Sequence, residues 1–335
     1  MIALDSAWGT PDEGRPRATD LRRERLRAMV RRSAMFVPVN VPRFVETAWT
    51  RHADAVILDL EDSVPPAAKR AARTRVRDAM RACARGGADI QVRINKPHAL
   101  AVEDLDAAVW PGLDAIHFPK AESPREIELL DRLVAEREAA RGMAPGSVGL
   151  SLAIETALGL HNAVAIALAS PRAVAISLGS EDFTLDIEVE PTREGRELLF
   201  GKMQMILVAR LAGIQPHGTM TGIADYRDLD GMTAAIREAR RMGFMGASCI
   251  HPAQVEPLNT YFSPASDELA AARRVVAAFE GAVAEGRASV GVDGKMVDIP
   301  VAERARRLIA RAEAIAAKDA RKRAARGEAG PGAGA

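Results

Sequence analysis

The stretch Val148-Gly-Leu-Ser-Leu-Ala-Ile-Glu-Thr-Ala-Leu-Gly-Leu-His-Asn-Ala-Val-Ala-Ile-Ala-Leu-Ala169 decides the fold. Val148 to Ile154 is a short apolar run, and from Ala157 the apolar residues recur at helical spacing, so a strand passes directly into a helix. Period-two alternation turns Leu150, Leu152 and Ile154 toward the helix, leaving Ser151, Ala153 and Glu155 on the opposite face. The unit recurs along the chain. Further apolar runs lie at Ala34 to Val39, Ala55 to Leu60, Ile90 to Ile94, Ala115 to Phe118, Ala173 to Leu178, Ile214 to His217 and Ala247 to Ile250. Helical patterns over Pro66 to Arg81, Pro124 to Arg141, Thr192 to Ala212 and Gly231 to Met242 follow several of them, some opened by Pro or Thr. Eight strand-helix units are what a (β/α)₈ TIM barrel requires, whereas a doubly wound sheet more often stops sooner. The expected fold is α/β, with the barrel over residues 33–260.

The flanks differ from this pattern. Residues 1–32 are Arg-rich but diluted by Asp12, Glu13, Asp20 and Glu24, which predicts a mobile arm with a short helix. After the eighth strand, helical patterns at Ser266 to Ala284 and Ala302 to Ala317 flank a hairpin-like stretch turning at Asp293-Gly294. Residues 261–317 therefore read as a helical lid extension, free to pack over this barrel's mouth or a neighbour's, and residues 318–335 as a disordered tail.

Lys+Arg 46 against Asp+Glu 45 leaves a net charge of +1, so no global field points to nucleic acid or an anionic membrane. Cys83 and Cys249 belong to no metal-spaced pattern, and no apolar run is long enough to span a bilayer. The expectation is a soluble, cytoplasmic protein with neither nucleic-acid nor membrane partners.

In a barrel the chemistry lies at the C-terminal ends of the strands. The polar residues that fall there are Asn40, Asp59, Glu61, Asp62, Arg93, Asn95, Lys120, Glu122, Glu155, Glu181, Asp182, His217 and His251. Glu155 points into the mouth by parity, and Gly179-Ser180-Glu181-Asp182 lets the chain approach closely at Gly179. Each acid has a capping alternative. Together, on adjacent strand ends, they suit Mg²⁺, which takes one or two carboxylates plus waters and substrate oxygens. Arg93 shares parity with Gln91 and faces the interior, where it needs an acid or an anionic ligand. The acids of Asp59-Leu60-Glu61-Asp62 could be structural partners; the alternative is a fork for a substrate carboxylate or a donor to a thioester oxyanion. His217 and His251 read sooner as satisfied structural histidines than as general bases, and Lys120 reads better as an ion-pair partner than as a Schiff-base lysine.

These residues sit in longer motifs. They include Met35-Phe-Val-Pro-Val-Asn-Val-Pro-Arg-Phe44, Ala53-Asp-Ala-Val-Ile-Leu-Asp-Leu-Glu-Asp-Ser-Val-Pro65, Val92-Arg-Ile-Asn95 and Phe118-Pro-Lys-Ala-Glu-Ser123. Further along come Ala153-Ile-Glu-Thr-Ala157, Leu178-Gly-Ser-Glu-Asp-Phe183, Ala224-Asp-Tyr-Arg-Asp228, Cys249-Ile-His-Pro-Ala-Gln-Val255 and Asp293-Gly-Lys-Met-Val-Asp298. In these the chain resembles the citrate lyase beta-subunit-like proteins of the HpcH/HpaI aldolase superfamily, grouped with malyl-CoA and citramalyl-CoA lyases. The likeness implies Mg²⁺, with Mn²⁺ as a substitute, at Glu155 and Asp182, and substrate binding by Arg93, Gly179 and Ser180. Asp59, Glu61 and Asp62 would orient Arg93 and metal waters. The resemblance also implies a catalytic acid/base at Asp298 on the lid, often serving a neighbouring subunit, in a homotrimer or dimer of trimers. By itself Asp298 reads as the cap of the last helix. The implied reaction is reversible retro-aldol cleavage of a β-hydroxyacyl-CoA into an oxo acid and an acyl-CoA. The alternatives are a CoA-independent pyruvate- or glyoxylate-dependent aldolase and a lyase subunit acting on a carrier-bound acyl group. The chain departs from its relatives at Val39, Val41 and Ala247-Ser248, where they commonly carry Gly or basic residues, and in His217-Gly-Thr-Met-Thr-Gly-Ile223, which lacks their acid-Gly-Pro character.

Overall fold

A computed structural model describes residues 29–96, 98–222 and 225–327. The strands run in chain order: β1 Ser33–Pro38, β2 Ala55–Asp59, β3 Asp89–Arg93, β4 Ala115–Phe118, β5 Gly149–Ile154, β6 Ala173–Leu178, β7 Gln215–His217 and β8 Ala247–Cys249. The helices between and after them are α1 Pro42–Ala48, α2 Lys69–Arg73, α3 Val76–Ala84, α4 His98–Ala108, α5 Pro124–Ala140, α6 Ala157–Leu168, α7 Ser180–Asp186, α8 Leu199–Ala212, α9 Leu229–Met242 and α10 Val255–Tyr261. Beyond the barrel lie α11 Ser266–Ala284, the hairpin β9 Val290–Val292 and β10 Lys295–Val297, and α12 Ile299–Ala325.

All eight barrel strands are parallel, in the order β7-β6-β5-β4-β3-β2-β1-β8. Pro216 cannot donate a ladder bond, and the ring closes through Gly218 N–H to Gly246 O (2.8 Å) and Met245 N–H to Pro216 O (3.0 Å). The two faces of each strand serve different cores. Val56 and Leu58 join the large cluster between strands and helices, whereas Ala34, Ala55 and Ile57 pack with Phe36 inside the barrel. Local signals set the helix starts. Ser123 and Glu126 form a capping box for α5 behind Pro124, and Thr156 caps α6 by accepting from Gly159 N–H (3.0 Å).

The expected strands are all present, but two of the expected barrel helices and both flanking segments differ from expectation. The pattern over Pro66 to Arg81 is broken into a 3₁₀ turn (Pro66–Ala68), α2 and α3, and the one from Thr192 becomes helical only at a 3₁₀ turn (Arg196–Leu198) before α8. The tail predicted from Lys318 is instead ordered helix as far as Ala325, because Lys318 and Lys322 are buried among acids. Lys318 Nζ lies 2.5 Å from Asp89, and Lys322 Nζ lies 2.5 Å from Asp54, which also takes Arg32 Nε at 2.7 Å. Arg31 pairs with Asp89 at 2.9 Å, so the end of the predicted arm belongs to the barrel, while residues 1–28 lie outside those described. These acids precede or begin β2 and β3. The distal part of α12 therefore seals the barrel's N-terminal end. Removing one partner from such a buried pair typically costs about 3–5 kcal/mol.

Candidate active site

At the C-terminal ends of the strands is a cavity of about 320 Å³, lined by Phe36, Asp59, Arg93, His117, Glu155, Gly179, Ser180, Glu181, Asp182 and His217, among others. Strand register builds it. Asp59 pairs with Arg93 across β2 and β3, Arg93 with His117 across β3 and β4, and Ser177 with His217 across β6 and β7. Because Thr156 takes the capping position of α6, Glu155 is left free to enter the mouth. Gly179 N–H donates to Ile154 O (2.9 Å), and a Cβ at Gly179 would meet Glu155 Cγ at 2.6 Å. Glycine there is what lets Glu155 fold across the neighbouring strand end. Asp182 follows in the first turn of α7, whose N-cap is Gly179, so neither acid fills the capping role.

The electrostatics centre on one lysine. Lys120 Nζ donates to Glu61 Oε1 (2.9 Å) and stands 3.4 Å from Asp182 Oδ1, 3.6 Å from Asp62 Oδ2 and 4.0 Å from Glu155 Oε2. Burial, then repulsion from Asp182 and Glu61, pushes the Glu155 carboxyl up to about 7 against the pull of Lys120 and Arg93. Its Oε2 is buried and has no hydrogen-bond partner among the described residues. Arg93 gives Nε and Nη2 to the two Asp59 oxygens, both at 2.7 Å, with Nη1 3.0 Å from Glu61 and the guanidinium 4.6 Å from the Phe36 ring centroid. Burial raises the Asp59 carboxyl, but the Arg93 fork more than reverses this and holds it below the usual range. The structural pairing left open for Arg93 is thus present: Asp59 holds Nε and Nη2, while Nη1 pairs with Glu61 and, at 3.7 Å, with Asp62. His117 and His217 are held neutral, each lowered to about 3 chiefly by burial, with Arg93 adding to the effect at His117.

The site suits a hard divalent cation. Its donors are carboxylate oxygens, one of them buried and unsatisfied, in a cradle that a side chain at Gly179 would fill. No cluster of three His, Cys, Asp or Glu side chains placed to hold a metal occurs among the described residues, which leaves the two-carboxylate pattern that suits Mg²⁺.

Glu155, Asp182, Gly179, Ser180, Arg93 and Asp59 thus converge on one cavity, with Glu61 and Asp62 behind it through Arg93 and Lys120. Other strand-end residues serve the scaffold. Asn95 bonds Leu60 O and Asp104, and Glu122 pairs with Lys96. His251 caps the turn at Ala253 and stacks on Tyr226. Asp298 does not line the cavity in its own chain; it accepts from Val301 N–H (3.3 Å) as the cap of α12. Sequence reading passed over His117, although alternation along Ala115-Ile-His-Phe118 puts it on the inner face.

Residues 32–252 match the HpcH/HpaI aldolase/citrate lyase family. Citrate lyase subunit beta of Escherichia coli (strain K12) is 37% identical, over 84% of this chain and 93% of that protein. The (3S)-malyl-CoA thioesterase of Cereibacter sphaeroides is 34% identical, over 85% and 96% respectively. The crystal structure of protein CitE from Mycobacterium tuberculosis, in complex with magnesium, acetoacetate and coenzyme A, superposes with a TM-score of 0.67 at 29% identity, covering 86% of this chain and 99% of that one. Barrel, site and sequence agree: the chain belongs to the HpcH/HpaI aldolase/citrate lyase family and is an enzyme of the lyase class.

Proposed function

We propose that the chain is a Mg²⁺-dependent carbon–carbon lyase that reversibly cleaves a β-hydroxyacyl-CoA of the malyl-CoA or citramalyl-CoA type into an oxo acid and an acyl-CoA, with Mn²⁺ able to substitute. One observation carries the reading: Glu155, with its buried, unpartnered oxygen, meets Asp182 at the barrel mouth beside Arg93. Glu155 and Asp182 would hold the cation, which supplies a Lewis acid for the oxo-acid carbonyl. Arg93, clamped by Asp59 through Nε and Nη2 and paired with Glu61 at Nη1, would turn the second N–H of Nη1 and of Nη2 toward the oxygen of the thioester enolate. Because the clamp fixes the guanidinium beforehand, no reorganisation is needed as that charge develops. In cleavage the β-hydroxyl proton passes to water as the carbonyl forms and Asp298 gives a proton to the enolate carbon; in condensation Asp298 removes that proton and water returns the other to the new hydroxyl.

In this reading Asp298 serves the mouth of a neighbouring subunit in a homotrimer or dimer of trimers. Its place away from its own cavity supports this, as do the 69% and 63% exposures of Met296 and Ile299 beside it. Phe200, Leu207 and Leu211 on α8 and Leu158 and Leu168 on α6 give the barrel a further exposed apolar face suited to self-association. Purified protein with Mg²⁺, glyoxylate or pyruvate, and acetyl- or propionyl-CoA should yield a condensed thioester identifiable by mass. No product from any pairing refutes the proposal. The E. coli relative is named as a lyase subunit, which supports a second reading in which this chain works as one subunit of a larger lyase; turnover only when an acyl carrier protein is supplied would select the form of that reading in which the acyl group is carrier-bound.

A further inference from the structure

Lys120 is a charged group at the mouth that this mechanism leaves unused. Its backbone is left-handed, with φ 49°, a conformation that residues with a Cβ seldom adopt. Ala121 N–H then anchors the chain to Ala153 O at the end of β5 (2.9 Å). Held between this kink and that bond, the side chain turns back over the mouth. One ammonium there faces Glu61 and Asp62 from the loop after β2, Glu155 from the end of β5, and Asp182 from α7. Among the described residues it hydrogen-bonds only Glu61; Glu155 and Asp182 stand at ion-pair distance, with no hydrogen bond to Lys120. Strained non-glycine backbone persists where the surrounding structure holds it, and it clusters at functional sites.

We propose that Lys120 is the resident counter-ion of Glu155 and Asp182, and that it yields to an entering divalent cation by falling back on Glu61 and Asp62, so that it sets the metal affinity of the site. The inference rests on the metal reading above. Two carboxylates converging in a partly buried mouth repel one another, and an ammonium between them keeps the pair formed while no metal is bound. A divalent cation serves the pair better but enters against a positive charge a few ångströms away, and repulsion over such distances is strong where water is partly excluded. The Glu61 tether keeps Lys120 near the site after displacement, so the repulsion persists. Lys120 is therefore a positioning residue that holds the acids ready and lowers their affinity for metal.

Calorimetric titration of the metal-free full chain with Mg²⁺, and separately with Mn²⁺, tests this in Lys120→Met, Lys120→Gly and Lys120→Arg. Met and Gly should bind at least tenfold more tightly than wild type, and Arg, which keeps the charge, within about threefold of it. The Gly variant removes the same charge from a backbone conformation glycine adopts freely, so it is read if the Met variant does not fold. Unchanged or weaker binding in both charge-removing variants, with wild-type binding that Glu155→Gln abolishes, overturns the inference and leaves the metal reading standing. Absence of Glu155-dependent binding in wild type and in all three variants overturns both.

Discussion

Glu155→Gln separates what the site does for function from what it does to the fold. In the folded chain the Glu155 carboxyl is raised from 4.5 to about 7, chiefly by burial and then by Asp182 and Glu61. At about 1.4 kcal/mol for each tenfold change in proton affinity, this corresponds to about 3 kcal/mol. The folded state holds the proton more tightly than the unfolded chain does, so metal-free stability falls as pH rises from about 4.5 to about 7, and the loss is complete above that. Glutamine cannot ionise. In urea melts of metal-free protein, the Gln variant should match wild type near pH 4.5 and exceed it by up to about 3 kcal/mol at pH 8. Mg²⁺ at about a thousand times its Kd should reverse the order, because it adds about 4.1 kcal/mol to the protein that binds it, and the variant has lost a ligand. A variant no more stable than wild type at pH 8 without metal would show that Glu155 is not a strained acid, and equal stabilisation of the two proteins by Mg²⁺ would show that it is not a metal ligand.

Gly179→Ala places a methyl 2.6 Å from Glu155 Cγ; Mg²⁺ affinity should fall at least tenfold by titration, with the far-UV circular dichroism of the barrel unchanged. Asp54→Ala removes the fully buried counter-ion shared by Arg32 and Lys322, leaving them only the half-buried Asp319, and should cost up to about 3–5 kcal/mol in denaturant melts, while Mg²⁺ binding in the folded fraction persists. Asp298→Asn should lower turnover about 10²- to 10⁴-fold at unchanged Mg²⁺ affinity. Coexpressed with Glu155→Gln, it should recover part of that activity, since a mixed oligomer pairs intact Asp298 with intact Glu155; no recovery would place the aspartate's action within one chain.

Much of the barrel is legible because its signals are local. The alternation of Leu150, Leu152 and Ile154 against Ser151, Ala153 and Glu155, and the helical spacing after Thr156, depend on residues a turn or a pleat apart. The same parity put Arg93 and Glu155 inside, and Gly179-Ser180-Glu181-Asp182 marked a close turn. Strand parity applied to Ala115-Ile-His-Phe118 would have added His117, while Lys120 was visible as an ion-pair partner but not as a group facing four acids.

By itself the sequence determined the eight βα units, the inward-facing acids and the family, since each is written in short-range periodicity or contiguous motifs. The tertiary structure alone decided who pairs with whom: Arg93 with Asp59, Lys120 among Glu61, Asp62, Glu155 and Asp182, and Lys318 with Asp89 across 229 positions of chain. Composition reads a run rich in Lys and Arg as solvated tail, because a charge is costly to bury alone. Whether it meets a buried acid depends on how distant segments fold together. In α12 that meeting turned an expected tail into the base of the barrel.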